Sequence, residues 1–122
     1  MKRIQQIGIP VKDIKRSTAF YRDVLQLLVL FELETMVFFQ CGDIRLMLTL
    51  PETEAFDHPS SVLYFEVDSL PAEYKRMQKQ GVVFLGEPHM ITRSETEETW
   101  MAFFKDSEQN TMALTAQVAV II

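Results

Sequence analysis

The sequence predicts an α+β fold built from two βαβββ modules. Three observations carry this expectation. Strand-like runs rich in β-branched and aromatic residues surround one helix-like stretch in each half, in the same order. Short segments recur: Val11 and Ile14 return as Val67 and Leu70, and "MLT" from Met47 returns as "ALT" from Ala113. The second offset is the larger of the two, which fits a longer loop in the second half. Finally, 122 residues at 48% hydrophobic and 24% charged are enough to bury a core without disulfides.

The elements follow in order. "IQQIGIPV" reads as a strand, with Pro10 at its end because proline has no N–H for a ladder. Asp13 is the N-cap candidate for "IKRSTAFYRDVLQL". There Ile14, Ser17, Phe20, Tyr21, Val24 and Leu25 share one face at three- and four-residue spacing. "LLVLFELE" is a strand; "MVFFQ", the turn "CGD" and "IRLMLTL" form a hairpin. The prolines and polar residues of "PETEAFDHPSS" mark a linker. In the second half "VLYFEV" is a strand, and Asp68 or Ser69 caps "LPAEYKRMQKQ", with Pro71 in the first turn and Gly81 as the stop. "VVFL" is read as the next strand, "GEPHMITRSETEE" as a polar loop, and "TWMAFFKD" and "NTMALTAQ" as the last two strands. Module one thus covers about residues 1–50, the linker 51–60, module two about 61–117, and an apolar tail 118–122.

Composition narrows the function classes. A formal net charge of −5 with no basic stripe argues against a nucleic-acid partner. No apolar run reaches the roughly 18 residues of a membrane span, and no signal-peptide core follows Lys2 and Arg3. A lone cysteine, Cys41, forms no internal disulfide and fits a reducing cytoplasm; in "FFQCGD", with no histidine nearby, it reads as a small half-buried residue.

"IGIPVKDIKRSTAFYRDVLQL", "YFEVDSL" followed by a helix, and "MAFFKDSEQNTMAL" together resemble the vicinal oxygen chelate superfamily, the glyoxalase/bleomycin resistance protein/dioxygenase group. The resemblance spans nearly the whole chain. It implies two modules whose curved mixed sheets enclose a cleft, and a homodimer. One departure lies in the final turn: relatives commonly carry an Asp-Pro-Asp-Gly-Asn type, whereas here it is Asp106-Ser107-Glu108-Gln109-Asn110.

In metal-using members, the first and last strand of each module supply one His or Glu ligand apiece. Carried over one at a time, these positions fall on Gln6, Met47, Val62 and Ala113. An amide oxygen is a weak ligand, a thioether suits soft copper(I), and valine and alanine offer nothing. A one-residue shift in register brings in Gln5, Ile7, Leu46, Leu48, Ser61, Leu63, Met112 or Leu114, which rescues no site. The expectation is no metal and no other cofactor.

Strand alternation adds the remaining candidates. Tyr64 and Glu66 share a face with Val62. A carboxylate beside a phenol in an apolar cleft could serve as an acid–base pair; the simpler reading is a solvated rim glutamate or one paired with Arg45 or Arg93. Arg45 and Thr49 share a face with Met47, and the guanidinium could hold an anion or extend into water. Of Phe38, Phe39, Trp100, Phe103 and Phe104, half should fill the core and half line the cleft, with Trp100 counted among the lining residues. His58 and His89, each near a proline, read as exposed loop histidines. The leading expectation is a metal-independent protein that binds a small organic molecule. The alternatives are an enzyme of the superfamily (a lyase, epimerase or dioxygenase) using other ligands or the Glu66/Tyr64 pair, and an accessory module docking through "VAVII".

Overall fold

The computed structural model describes residues 1–120. The chain divides into two compact units, Met1–Ser60 and Ser61–Ile122. The first holds β1 (Gln6–Pro10), α1 (Ile14–Ala19), β2 (Leu28–Glu32), β3 (Met36–Cys41) and β4 (Ile44–Thr49). The second holds β5 (Tyr64–Glu66), α2 (Leu70–Lys79), β6 (His89–Arg93), β7 (Glu97–Lys105) and β8 (Thr111–Ala119). Each unit forms one four-stranded mixed sheet, in the orders β1-β4-β3-β2 and β5-β8-β7-β6. First and last strands pair in parallel, as the crossover helix between them permits; the remaining pairs are antiparallel.

The sequence repeat is a repeat of register. The Val11 N–H donates to the Thr49 carbonyl at 2.9 Å, and the Val67 N–H donates to the Thr115 carbonyl at 2.9 Å. The two sequence offsets therefore mark the same rung of two equivalent ladders. Local chemistry sets the elements as expected. Asp13 accepts from the Arg16 N–H at 3.1 Å, Ser69 accepts from the Ala72 N–H at 3.3 Å, and Gly81 ends α2 at φ 88°. Gly42 takes φ 58° in the two-residue turn joining β3 to β4.

Alternation then divides each sheet into a helix-covered face and an open one. In the first unit Ile9, Val37, Phe39, Leu46 and Leu48 are buried beneath α1 and the turns that follow it. Beyond Ala19 the helix widens into a π-type turn, in which the Leu25 N–H reaches back to the Phe20 carbonyl at 3.1 Å. This turn carries Tyr21 into the core, where its ring lies 6.1 Å from that of Phe39. In the second unit Ala102, Phe104, Met112, Leu114 and Ala116 are buried, with Leu70 and Met77 from α2. A run of rings ties that helix to the sheet: Tyr74 to Phe84 at 4.6 Å, then Phe84 to Phe104 at 5.8 Å.

Two expectations need correction. "VVFL" is not a full strand: Phe84 makes one isolated bridge to Phe104, flanked by bonds from Lys105 N to Val83 O and from Leu85 N to Phe103 O. The strand lies instead at His89–Arg93, inside the stretch read as a polar loop. Gly86 and Pro88 interrupt the pairing, and it resumes beyond them along Met101, Trp100 and Thr99 of β7, with Glu98 added because β7 begins earlier than expected, at Glu97. The apolar tail is likewise partly strand, since Val118 and Ala119 pair with Glu98 and Glu97; Ile121 and Ile122 lie outside the described residues.

The β7–β8 turn shows how the departure from the family pattern is accommodated. Gln109, where relatives commonly place glycine, adopts φ 65°. A left-handed conformation costs a non-glycine residue roughly 1–2 kcal/mol, and glycine gives part of that back through its freer unfolded chain. Gln109→Gly should therefore stabilise the protein by about 0.5–1 kcal/mol, read as a higher urea midpoint at unchanged slope. A lower midpoint would mean that the Gln109 side chain holds the turn.

Candidate functional site

The open face of the first sheet is ordered in rows that cross the strands. One row is Gln6–Arg45–Gln40–Leu28, the next Gly8–Met47–Phe38–Phe31, and the third Pro10–Thr49–Met36. Gln6 donates its amide to the Met47 sulfur at 3.7 Å, a weak acceptor. A Cβ on Gly8 would lie 3.6 Å from Met47 Cε, so the methionine stretches over the space the glycine leaves. Phe38 stacks on Phe31 at 4.5 Å, and the Arg45 guanidinium sits 5.7 Å from the centre of the Phe38 ring.

The open face of the second sheet repeats the rows with different side chains. Tyr64–Ala113–Phe103 answers Gly8–Met47–Phe38, and Glu66–Thr115–Met101 answers Pro10–Thr49–Met36. The exchange swaps which strand carries the large residue. A small residue beside a large one in the first unit, Gly8 by Met47, becomes a large one beside a small one, Tyr64 by Ala113. The rings of Tyr64 and Phe103 meet edge-on at 6.1 Å, and Ala113 between them is fully buried. Val62, two residues before Tyr64 as Gln6 is before Gly8, precedes β5 and is exposed.

The four positions implied as metal ligands thus occupy equivalent places in pairs: Gln6 with Val62, and Met47 with Ala113. Their donor set is one carboxamide held on a thioether, one thioether, and two alkyl groups, which does not fit a divalent cation. Among the described residues, no group of three or more His, Cys, Asp or Glu side chains is placed to hold a metal ion.

The other candidates separate. Arg45, Thr49, Tyr64 and Glu66 lie on open faces, with the Thr49 hydroxyl donating to the Leu50 carbonyl at 3.3 Å. Tyr64 and Glu66 are both exposed, and no hydrogen bond joins their side chains. Trp100 alternates with Phe103 and pairs with Ala116, so it shares the helix-side face with Ala102 and Phe104; its indole N–H donates to Glu98 at 3.0 Å. Arg93 pairs with Glu98 at 3.6 Å. Of the phenylalanines, Phe38 and Phe103 are open-face residues, and Phe39 and Phe104 are core. Burial pushes the Cys41 thiol up, away from a reactive thiolate.

His89, read from the sequence as an exposed loop histidine, is exposed but lies in a strand. It sits in β6 opposite Met101, its Nδ1 is 3.1 Å from the Glu87 carbonyl, and its ring lies 6.2 Å from Phe103. With Leu85, Glu87, Phe103 and Thr111 it lines a cavity of about 140 Å³ at the edge of the open face. The run "HMIT" was the available signal, outweighed by the surrounding polar residues. His58 stays in the linker, its Nδ1 3.1 Å from the Pro59 carbonyl. A second cavity, about 330 Å³, lies in the first unit between α1 and the β2–β3 turn, with Lys15, Arg22, Glu32 and Glu34 at its rim.

Comparison with known proteins places this geometry in context. The model of the glyoxalase/bleomycin resistance protein/dioxygenase superfamily matches residues 3–114. Comparison with curated protein sequences gives no match. Among solved structures, the chain is similar to an integron cassette protein from the mobile metagenome of V. cholerae, at TM-score 0.79 and 20% identity over 95% of each chain. It is similar to a lactoylglutathione lyase from Agrobacterium tumefaciens, at TM-score 0.73 and 20% identity over 95% of this chain and 94% of that one. It is also similar to TnmS3, an antibiotic-binding protein from Streptomyces sp. CB03234, at TM-score 0.76 and 19% identity over 97% and 98%. At these identities the likeness is one of fold.

Proposed function

Because the chain belongs to the glyoxalase/bleomycin resistance protein/dioxygenase superfamily, we propose that it keeps the family's binding surface and works without its metal ion, as a binding protein for a small organic molecule. The observation that carries this reading is the residue set Gln6, Met47, Val62 and Ala113 at the four ligand positions. It replaces hard donors with amide, thioether and alkyl groups, which suit an organic surface better than a cation. The exposed rings of Phe31, Tyr64 and their neighbours supply stacking area on the same faces. The fold shared with an antibiotic-binding protein supports the reading. It includes a homodimer in a cytoplasmic setting, which the lone cysteine suits.

The test pairs two measurements on the purified protein. Native mass spectra recorded after addition of zinc, nickel and manganese should show no stoichiometric ion. Thermal unfolding against a panel of aromatic compounds should show saturable stabilisation that EDTA leaves unchanged, worth about 2.7 kcal/mol at a hundredfold excess over Kd. One divalent ion retained per chain would overturn the metal-free reading. Turnover lost in Glu66→Gln or Tyr64→Phe would favour an enzyme that uses that pair.

A further inference from the structure

The first row of the open face in unit one is unlike the rest of this acidic chain. Arg45 is flanked across the strands by Gln6 on one side and Gln40 on the other. None of the strand residues in the three open-face rows is acidic. Arg45 takes part in none of the ion pairs Arg22–Asp23, Arg76–Glu73 and Arg93–Glu98, and among the described residues its half-buried guanidinium has no carboxylate partner. Its one side-chain contact of this kind is the face of Phe38. Each neighbouring amide nitrogen is only half used: Gln6 donates one N–H to the Met47 sulfur, and Gln40 donates one to the Gly42 carbonyl. The equivalent row in the second unit differs. There the cation, Lys105, donates to the Thr111 hydroxyl at 2.8 Å.

We propose that this row, together with the stacked Phe38 and Phe31 beside it, binds the anionic end and the ring of a planar aromatic carboxylate or sulfonate. Arg45 meets the anion with its fork of N–H groups, the amides of Gln6 and Gln40 flank it, and Phe38 and Phe31 take the ring in the adjoining row. Neighbours within a row sit on adjacent strands about 4.8 Å apart, and successive rows lie about 6.7 Å apart along the strands, so the guanidinium and its flanking amides can meet the anionic group while the ring reaches the adjoining row. The proposal rests on the small-molecule reading above and names the class of ligand for it.

The experiment uses two fluorescent probes of nearly the same shape, 8-anilinonaphthalene-1-sulfonate and the uncharged N-phenyl-1-naphthylamine, titrated into the full chain. The wild-type protein should bind the sulfonate more tightly. Arg45→Met should weaken the sulfonate about tenfold or more, the size of one lost charged hydrogen bond, and leave the neutral probe within about twofold, a difference of under half a kcal/mol. Phe38→Leu should weaken both. Circular dichroism checks folding; if Arg45→Met does not fold, Arg45→Lys carries the test, since it keeps the charge and loses the fork, and should also weaken the sulfonate selectively. Equal binding of both probes, or equal losses in the arginine variants, overturns the proposal while small-molecule binding stands. Binding of neither probe by the wild-type protein counts against both.

Discussion

Replacing Phe104 with alanine should lower the unfolding free energy by about 3–5 kcal/mol, the range for deleting a buried phenyl ring. Phe104 is wholly enclosed and lies at the sheet end of the Tyr74–Phe84–Phe104 run that fastens α2 to its unit. Removing it takes away the ring's transfer free energy and also leaves a void that neighbouring side chains on β7 and β8 can fill only in part. Against a total stability of about 5–15 kcal/mol, such a loss is large. Phe103→Ala, one residue away, provides the control: that ring is on the open face, only partly buried, and meets Tyr64 and His89 edge-on or tilted. It should cost distinctly less. Urea denaturation of both variants reads the contrast, and equal losses would contradict the division of β7 into a core face and an open face.

Asp106→Ala should cost about 2–3 kcal/mol, mostly through hydrogen bonds rather than volume. Asp106 is only 3% exposed. Its carboxylate accepts from the Glu108 N–H at 2.9 Å, the Asn110 N–H at 2.9 Å and the Asn110 side-chain amide at 3.2 Å. The backbone closes the same turn, with Asp106 N donating to Asn110 O at 3.0 Å and Gln109 N donating to Asp106 O at 3.1 Å. Alanine would leave those part-buried donors without their acceptor. Asp106→Asn keeps one acceptor oxygen and should recover part of the loss. A loss below about 0.5 kcal/mol for the alanine variant, less than one net hydrogen bond contributes, would show that the backbone bonds suffice. This carboxylate is what holds a β7–β8 turn lacking both the proline and the glycine of the family pattern.

Several features were legible in the sequence because their causes are local. Asp13 and Ser69 cap their helices within three residues, and Gly42 and Gly81 answer a backbone conformation at their own positions. The two offsets located equivalent rungs in both ladders because a duplicated chain keeps its register. The carried-over positions on β1, β4 and β8 therefore fell where the structure places equivalent residues. What could not be read was pairing and facing. His89–Arg93 lies among polar residues and follows a proline, and only its pairing with Met101, Trp100, Thr99 and Glu98 of β7 makes it a strand. Trp100 and Phe103 are equally aromatic; their spacing puts them on opposite sides of β7, and the pairing of Phe103 with Ala113 decides which of them joins the open face.

The sequence by itself determined the two βαβββ modules, the equivalence of their strands, and the residue types at the four positions that the family resemblance implies. These follow from residue type and short-range spacing. The tertiary structure alone decided that Arg45 has no carboxylate partner among the described residues and leans on Phe38, that His89 joins Phe103 at a small cavity, and that the Gly8–Met47 and Tyr64–Ala113 pairs swap their large and small members. Each is a relation between side chains on different strands. Hydrogen-bonded register brings such residues within a few ångströms of one another, and no local propensity encodes that.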